Sequence, residues 1–433
     1  MKFKTILLFS LLLVGLSFDA MAKDSTGGLA IAGIQLEFII FGLTLVGVAI
    51  FHHKVMYVAL TGLTAILIYK YLLIDGFSIL EHITGDEHVE GEWRILLNLL
   101  GLLFGFAILA KHFEESHIPE ILPKYLPDKW YGGLILLSII FILSSFLDNI
   151  AAAMIGGTVA MVVFQGRVHM GFLAAIIAAS NAGGSGSVVG DTTTTLMWID
   201  GVSPFDVVHA FIAAIAALFV FGTIATFQQY RHQRIVYDET HSHKIIWKKI
   251  LVVILILAGT ILTNYLLDFP ALGVWAAILL GALFTTTPWH ELKKVWQGTI
   301  FLVALVTCAS LMPVDELPPA TWQSAFSLGF ISAVFDNIPL TKLCLDQGGY
   351  DWGVLAYAVG FGGSMIWFGS SAGVALSNMY PQTKSTVKYL KNGWHVIIAY
   401  VIGFFVLFYT IGWHPHAPHR KEHMSPAQVE ISE

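Results

Sequence analysis

The chain has 433 residues, 56% of them hydrophobic and 12% charged, with a net charge of −6 at pH 7 and a mean hydropathy of +0.74. No soluble domain of this size tolerates such a composition on its surface, which excludes a water-soluble globular enzyme and indicates an all-α polytopic membrane protein. Cys308 and Cys344, the two cysteines, lie in or beside apolar segments and exclude a disulfide framework and a thiolate metal site.

In chain order, residues 1–22 read as a cleavable signal peptide: Lys2 and Lys4 precede the apolar run from Ile6 to Val14, and Ala20 and Ala22 flank Met21. Cleavage after Ala22 sets the mature N-terminus outside the cytoplasm. Full-length spans are predicted at 29–51, 55–74, 94–111, 204–227, 250–267, 271–286, 300–312 and 395–413. Four odder segments lie between them. Residues 132–164 and 321–346 each carry a polar interruption, while 171–199 and 352–380 are apolar runs opened by Gly, Ser, Thr and Asn, where the helix should unwind. A charged linker, 228–249, separates a first unit, 29–227, from a second, 250–413, and a polar tail, 414–433, follows.

Helix geometry gives the interruptions a meaning. As one helix, residues 132–164 would extend roughly 50 Å at about 1.5 Å per residue, against a hydrocarbon layer of roughly 30 Å. Folding back at Leu147-Asp148-Asn149 gives two half-length helices and a re-entrant hairpin, with Asp148 or Asn149 able to cap the second. Phe335-Asp336-Asn337-Ile338 repeats the pattern in the second unit.

Charge supports the same division. With each hairpin returning to its own side, Lys54, Lys111, Lys124, Arg231, Lys248, Lys294, Lys388 and most other cations fall in cytoplasmic loops, and the outer loops are acidic, as at Glu81, Glu92 and Asp315. Parity makes the first hairpin enter from the cytoplasm and the second from outside. The two units are then inverted repeats, each with three spans, a re-entrant hairpin, a broken helix and a closing span. The broken helices align as well, since Gly183-Gly184 and Gly190 keep the spacing of Gly362-Gly363 and Gly369.

These elements predict one composite cation and proton site at the pseudo-symmetry axis. Its candidates are Asp148, Asn149, Asp336 and Asn337 from the hairpin tips, Asn181, Asp191, Thr193 and Thr194 from the first broken helix, and Ser332, Ser364, Ser370 and Ser371 from the second unit. An ionised Asp at bilayer depth costs at least ~2.5–3.5 kcal/mol. Carbonyls, hydroxyls and carboxylates are hard oxygen ligands suited to an alkali cation, so Na⁺ is expected at Asp148, Asp191 and Asp336. Capping and close packing use the same residue types, but neither requires a carboxylate.

The motifs Phe-Leu-Asp-Asn (146–149), Asn-Ala-Gly-Gly (181–184), Gly-Asp-Thr-Thr-Thr-Thr (190–195), Phe-Asp-Asn-Ile-Pro-Leu (335–340) and Gly-Ser-Ser-Ala-Gly-Val-Ala (369–375) resemble those of the NhaD-type sodium/proton antiporters. These belong to a larger ion-transporter grouping that holds arsenite and citrate or dicarboxylate carriers. The resemblance covers most of the chain after the signal. It implies exchange of Na⁺ or Li⁺ for H⁺ across a bacterial inner membrane, with no cofactor and no nucleic-acid partner, and it allows a homodimer. The second broken helix departs from the first, with Gly360 where the first has Asn181 and Ser370 where it has Asp191, so the main cation ligands are expected on the Asp191 side.

The rival reading is a cation-coupled citrate, dicarboxylate or arsenite carrier on the same scaffold. Two tip aspartates would repel an anion, and Lys342 is the nearest cation in sequence to either tip. An enzyme is not expected: there is no His-Glu-x-x-His, and Gly369-Ser370-Ser371-Ala372-Gly373 lies in a broken helix rather than at a strand-to-helix turn. Of the 17 histidines, His88 and His209 are candidates for pH sensing, and His414, His416, His419 and His423 for loose metal binding.

Overall fold

The computed structural model describes residues 21–23, 29–31, 34–51, 54–74, 76–85, 91–236 and 244–417. The positions of His88, His419, His423 and residues 1–20 lie outside them. A small antiparallel ribbon, β1 (Met21–Lys23), β2 (Leu29–Ile31) and β3 (Ile34–Gln35), precedes the first helix. The span expected at 29–51 is therefore shorter: α1 covers Leu36–Ile50, because the polar Gln35 ends the ribbon and stands at the helix N-cap.

The rest is helical: α2 (Val55–Leu73), α3 (Ile79–Thr84), α4 (Trp93–Glu114), α5 (Ile118–Ile121), α6 (Gly132–Ser144), α7 (Asn149–Val163), α8 (Met170–Gly184), α9 (Thr192–Ile199), α10 (Pro204–Val208) and α11 (Ala210–His232) in the first part. Then come α12 (Trp247–Leu267), α13 (Pro270–Ala282), α14 (Leu292–Ser310), α15 (Trp322–Ser332), α16 (Asn337–Gln347), α17 (Trp352–Gly362), α18 (Ser371–Met379) and α19 (Thr386–Thr410). Among the described residues, six helical stretches are long and apolar enough to cross a membrane: α2, α4, α10 with α11, α12, α14 with the turn before it, and α19. The chain is a multi-pass membrane protein. The span expected at 271–286 stops at Ala282, since Thr285-Thr286-Thr287-Pro288 follows and proline cannot continue a helix. The one expected at 300–312 begins earlier, at Leu292.

Both polar interruptions break the helix. The first lies between α6 and α7, which pack on each other, and the second between α15 and α16. With 13 and 15 residues in one pair and 11 in each limb of the other, no limb reaches much beyond about 20 Å, short of a roughly 30 Å hydrocarbon layer. Pro339 falls in the first turn of α16, where its missing N–H is tolerated. The other two segments divide as α8 and α9, and as α17 and α18.

Two groups of helices result. The first contains α1, α2, α4, α12, α13 and α14; the second contains the hairpin limbs α6, α7 and α15 with α8, α11, α17, α18 and α19. Between them, α9 and α16 pack on each other, α9 also touching α4 and α16 touching α14. Every residue of α17 and all of α8 after Met170 are buried, so these half-helices form the interior of the second group. Aromatic rings seal α17 against α15 and α19: Tyr357 stacks on Tyr400, and Tyr400 on Phe326, with the Tyr400 hydroxyl donating to the Phe326 carbonyl at 2.7 Å.

Candidate functional site

The hairpin tips sit in notches cut by glycine. A Cβ added at Gly183 or Gly190 would strike the carbonyls of Phe141 and Ser144, and one at Gly362 or Gly369 those of Gly329 and Ala333. In both parts, therefore, the end of a hairpin limb presses its backbone against a broken helix, an approach that only glycine permits. A hydroxyl fastens each contact: Ser144 Oγ donates to the Ser180 carbonyl, and Ser332 Oγ to the Val359 carbonyl at 2.6 Å.

The tip carboxylates cap the limbs that follow. Asp148 Oδ2 accepts from the Ile150 N–H at 3.1 Å, and Asp336 Oδ1 from the Ile338 N–H at 3.0 Å. Asn149 turns inward. Its Nδ2 donates to Asn181 Oδ1 at 3.1 Å and to Asp191 Oδ1 at 3.0 Å, linking the first tip to both arms of the first broken helix. Asn181 Nδ2 crosses to the second broken helix, donating to Ser364 Oγ at 2.9 Å and Ser370 Oγ at 3.0 Å.

Asp191 is buried, and its second oxygen, Oδ2, has no hydrogen-bond partner. A Cβ at Gly360 would stand 3.3 Å from that oxygen, so the glycine keeps the space beside it open. The negative charges of Asp148 and Asp336 both act on Asp191. Nearby, Thr193 Oγ1 and Asn337 Nδ2 are buried without partners. Of these, Asp191 Oδ2 and Thr193 Oγ1 are oxygens able to accept a hydrogen bond or face a cation, whereas Asn337 Nδ2 can only donate.

Asp148, Asp191 and Asp336 line one cavity of about 1200 Å³, together with Thr192, Thr195, Ser370 and Ser371. Its wall runs past Thr158 and Asn378, which sequence spacing did not single out, toward Lys54, Lys111, Glu114, Lys124, Glu291 and Lys294. Among the described residues, no three His, Cys, Asp or Glu side chains converge tightly enough to chelate one metal ion. An ion on Asp191 would take its remaining oxygens from hydroxyl, amide and carbonyl groups.

Residues 38–360 of the chain match the citrate transporter family. The chain belongs to that family. Within it the resemblance is to the NhaD-type sodium/proton antiporters. Sodium/proton antiporter 1 of Arabidopsis thaliana is 25% identical over 345 residues, 69% of this chain and 58% of the relative. The Na(+)/H(+) antiporter NhaD of Alkalimonas amylolytica is 26% identical over 291 residues, 54% of this chain and 60% of the relative. That of Vibrio parahaemolyticus is 23% identical over 367 residues, 70% and 88% of the two chains. The match thus spans less than two thirds of the length of the first two. All three are named as transporters rather than enzymes.

In this citrate-transporter-family chain, the sequence candidates divide. Asn149, Asn181, Asp191, Ser364 and Ser370 form one bonded network, and Asp148, Asp336 and Ser371 face the same cavity. Thr194 and Ser332 do not offer free hydroxyls: Thr194 Oγ1 donates to the Ser187 carbonyl at 2.7 Å, and Ser332 is bonded to Val359. His209 lies elsewhere, its Nε2 2.8 Å from Asp351 Oδ1, and His414 donates its backbone N–H to the same carboxylate at 3.0 Å.

Proposed function

We propose that the chain exchanges Na⁺ or Li⁺ for H⁺ across a bacterial inner membrane. The observation that carries this reading is Asp191: a buried carboxylate with one oxygen held by Asn149 and the other unpartnered, beside a cavity that also meets Asp148 and Asp336. The cation takes Asp191 with the surrounding amide and hydroxyl oxygens when the carboxylates are deprotonated, and protons reload them after release on the other side. One carboxylate cluster serving both ions gives exchange without a separate proton wire.

The two units act as inverted repeats, the lysine-lined end of the cavity is cytoplasmic, and the signal-processed N-terminus and the tail lie outside. Supporting the repeat is the twofold recurrence of the glycine notch, the serine tie and the Asp cap.

A citrate, dicarboxylate or arsenite carrier is the second reading, favoured by the matched family's description. Against it, three aspartates face the cavity, and Lys342, only 1% exposed, is already engaged by acids. The deciding experiment is collapse of a preset proton gradient in everted vesicles. Na⁺ and Li⁺ should collapse it while K⁺ and citrate do not. Unchanged Na⁺-dependent collapse in an Asp148→Asn, Asp336→Asn double variant would defeat the proposal.

A further inference from the structure

The half-helices that begin at the site converge again at their far ends. Helix α9 starts after Asp191 and is followed by Asp200; α16 starts after Asp336 and carries Asp346 near its end. Between them stands Lys342, 1% exposed, with Nζ 2.7 Å from Asp346 Oδ1 and 3.7 Å from Asp200 Oδ1. A third acid reaches it from the first group of helices: Glu92, the N-cap of α4, places Oε2 at 3.0 Å and Oε1 at 3.1 Å.

Helix α4 fixes the direction. It runs from Glu92 at this cluster to Lys111 and Glu114 on the cavity wall, about 33 Å at 1.5 Å per residue. None of the four clustered residues lines the cavity. The cluster therefore stands at the end of the protein away from the cavity's lysine-lined mouth, where α9, α16 and α4 meet.

We infer that Lys342 and Glu92 are positioning residues that clasp α9 and α16 to α4 and hold the site closed toward that end. The pairing is buried and ionic, so parting it leaves charges that need water or another partner, which makes the parting costly. Opening the site to the second face requires α9 and α16 to leave α4, and the strength of the clasp sets how often this occurs. Three acids around one ammonium make Glu92 removable without stranding the lysine, which keeps Asp346 and Asp200.

The inference rests on the transport reading, because only a site serving two faces needs a second exit. Its test needs no ion gradient, so the two can fail separately. Cys344 is buried on α16 between Lys342 and Asp346 and is a native reporter once Cys308→Ala removes the other thiol. Labelling by a membrane-impermeant maleimide is followed in intact cells and in everted vesicles. The Cys308→Ala protein should label slowly from both faces. Adding Glu92→Gln should speed labelling about tenfold or more from the face opposite the cavity mouth only, and Glu92→Asp, which restores the charge, should return it toward the parent rate. Equal labelling of Glu92→Gln and parent, or acceleration from both faces alike, would overturn the clasp. Should Glu92→Gln fail to accumulate, Asp200→Asn carries the same two outcomes.

Discussion

Asn181 and Ser370, one from each broken helix, meet in a 3.0 Å hydrogen bond, and the same amide holds Ser364 and accepts from Asn149. One side chain thus joins the first hairpin, the first broken helix and the second. Asn181→Ala removes all three links, each worth about 0.5–1.5 kcal/mol net. The apparent Na⁺ constant in vesicle exchange should rise about tenfold or more while the folded protein still accumulates; an unchanged constant would remove Asn181 from the binding network.

Gly360 keeps open the space beside Asp191 Oδ2. A Gly360→Ala methyl at 3.3 Å crowds an ion there without touching any charge. One methyl-sized intrusion is worth roughly 1–3 kcal/mol of discrimination, so Na⁺ exchange should weaken about tenfold and Li⁺, the smaller ion, should suffer less. Equal losses for both ions would point to a general packing fault instead.

Competition fixes the sign of the pH dependence. On the proposed shared occupancy of the carboxylates by cation and proton, acid on the binding side should raise the apparent Na⁺ constant, approaching about tenfold per pH unit in the range where the group is mostly protonated. At saturating Na⁺ the rate should recover. A maximal rate that falls with acid at a constant apparent affinity would exclude shared occupancy.

Ser144 and Ser332 make equivalent ties to the two broken helices. Replacing either with Ala should lower stability by a similar amount, about 1 kcal/mol, in thermal unfolding of the detergent-solubilised protein. Gly183→Ala should cost far more, since its new carbon meets the Phe141 backbone, whereas Gly42→Ala, with nothing within 4 Å, should be neutral or stabilising by up to about 1 kcal/mol. Markedly unequal serine effects would argue against equivalent roles in the two units.

Asp351, just ahead of α17, ties down the segment that follows α19. Burial pushes its carboxyl up, but hydrogen bonds from His209 and from the Val354 and His414 N–H groups outweigh this and hold it below the usual range. A lowered carboxyl stabilises the fold above its unfolded-state value and loses that contribution as pH falls through the folded one. Residues 412–416 should therefore resist protease at neutral pH, become cleavable only in strong acid, and be cleavable at neutral pH in Asp351→Ala. Full resistance in that variant would show that the backbone bonds of His416 to Gly349 and Tyr350 suffice.

Much of this arrangement can be read from residue types and run lengths. The breaks at Asp148 and Asp336 follow from apolar runs too long for one crossing, and the unwound stretches from Gly183-Gly184 and Gly362-Gly363. Direction within a helix is less legible. Spacing cannot tell that Thr194 turns its hydroxyl onto the Ser187 carbonyl while Thr193 keeps its own unbonded, because both choices satisfy the same local pattern. Partners far along the chain are not legible at all: Lys342 reads as an isolated cation past Pro339, yet Glu92, 250 positions earlier, is bound to it. The first crossing is misjudged for a related reason, since Leu29–Ile31 is apolar enough for a helix but pairs as a strand with its neighbours.

The glycine notches have a mechanical outcome. A tip whose carbonyl is lodged in its neighbour cannot slide by even one residue without first climbing out, and the serine latch beside it resists that climb. Any displacement of a tip would therefore carry its adjoining half-helix with it as a single block, and an ion lodged between them would keep its walls.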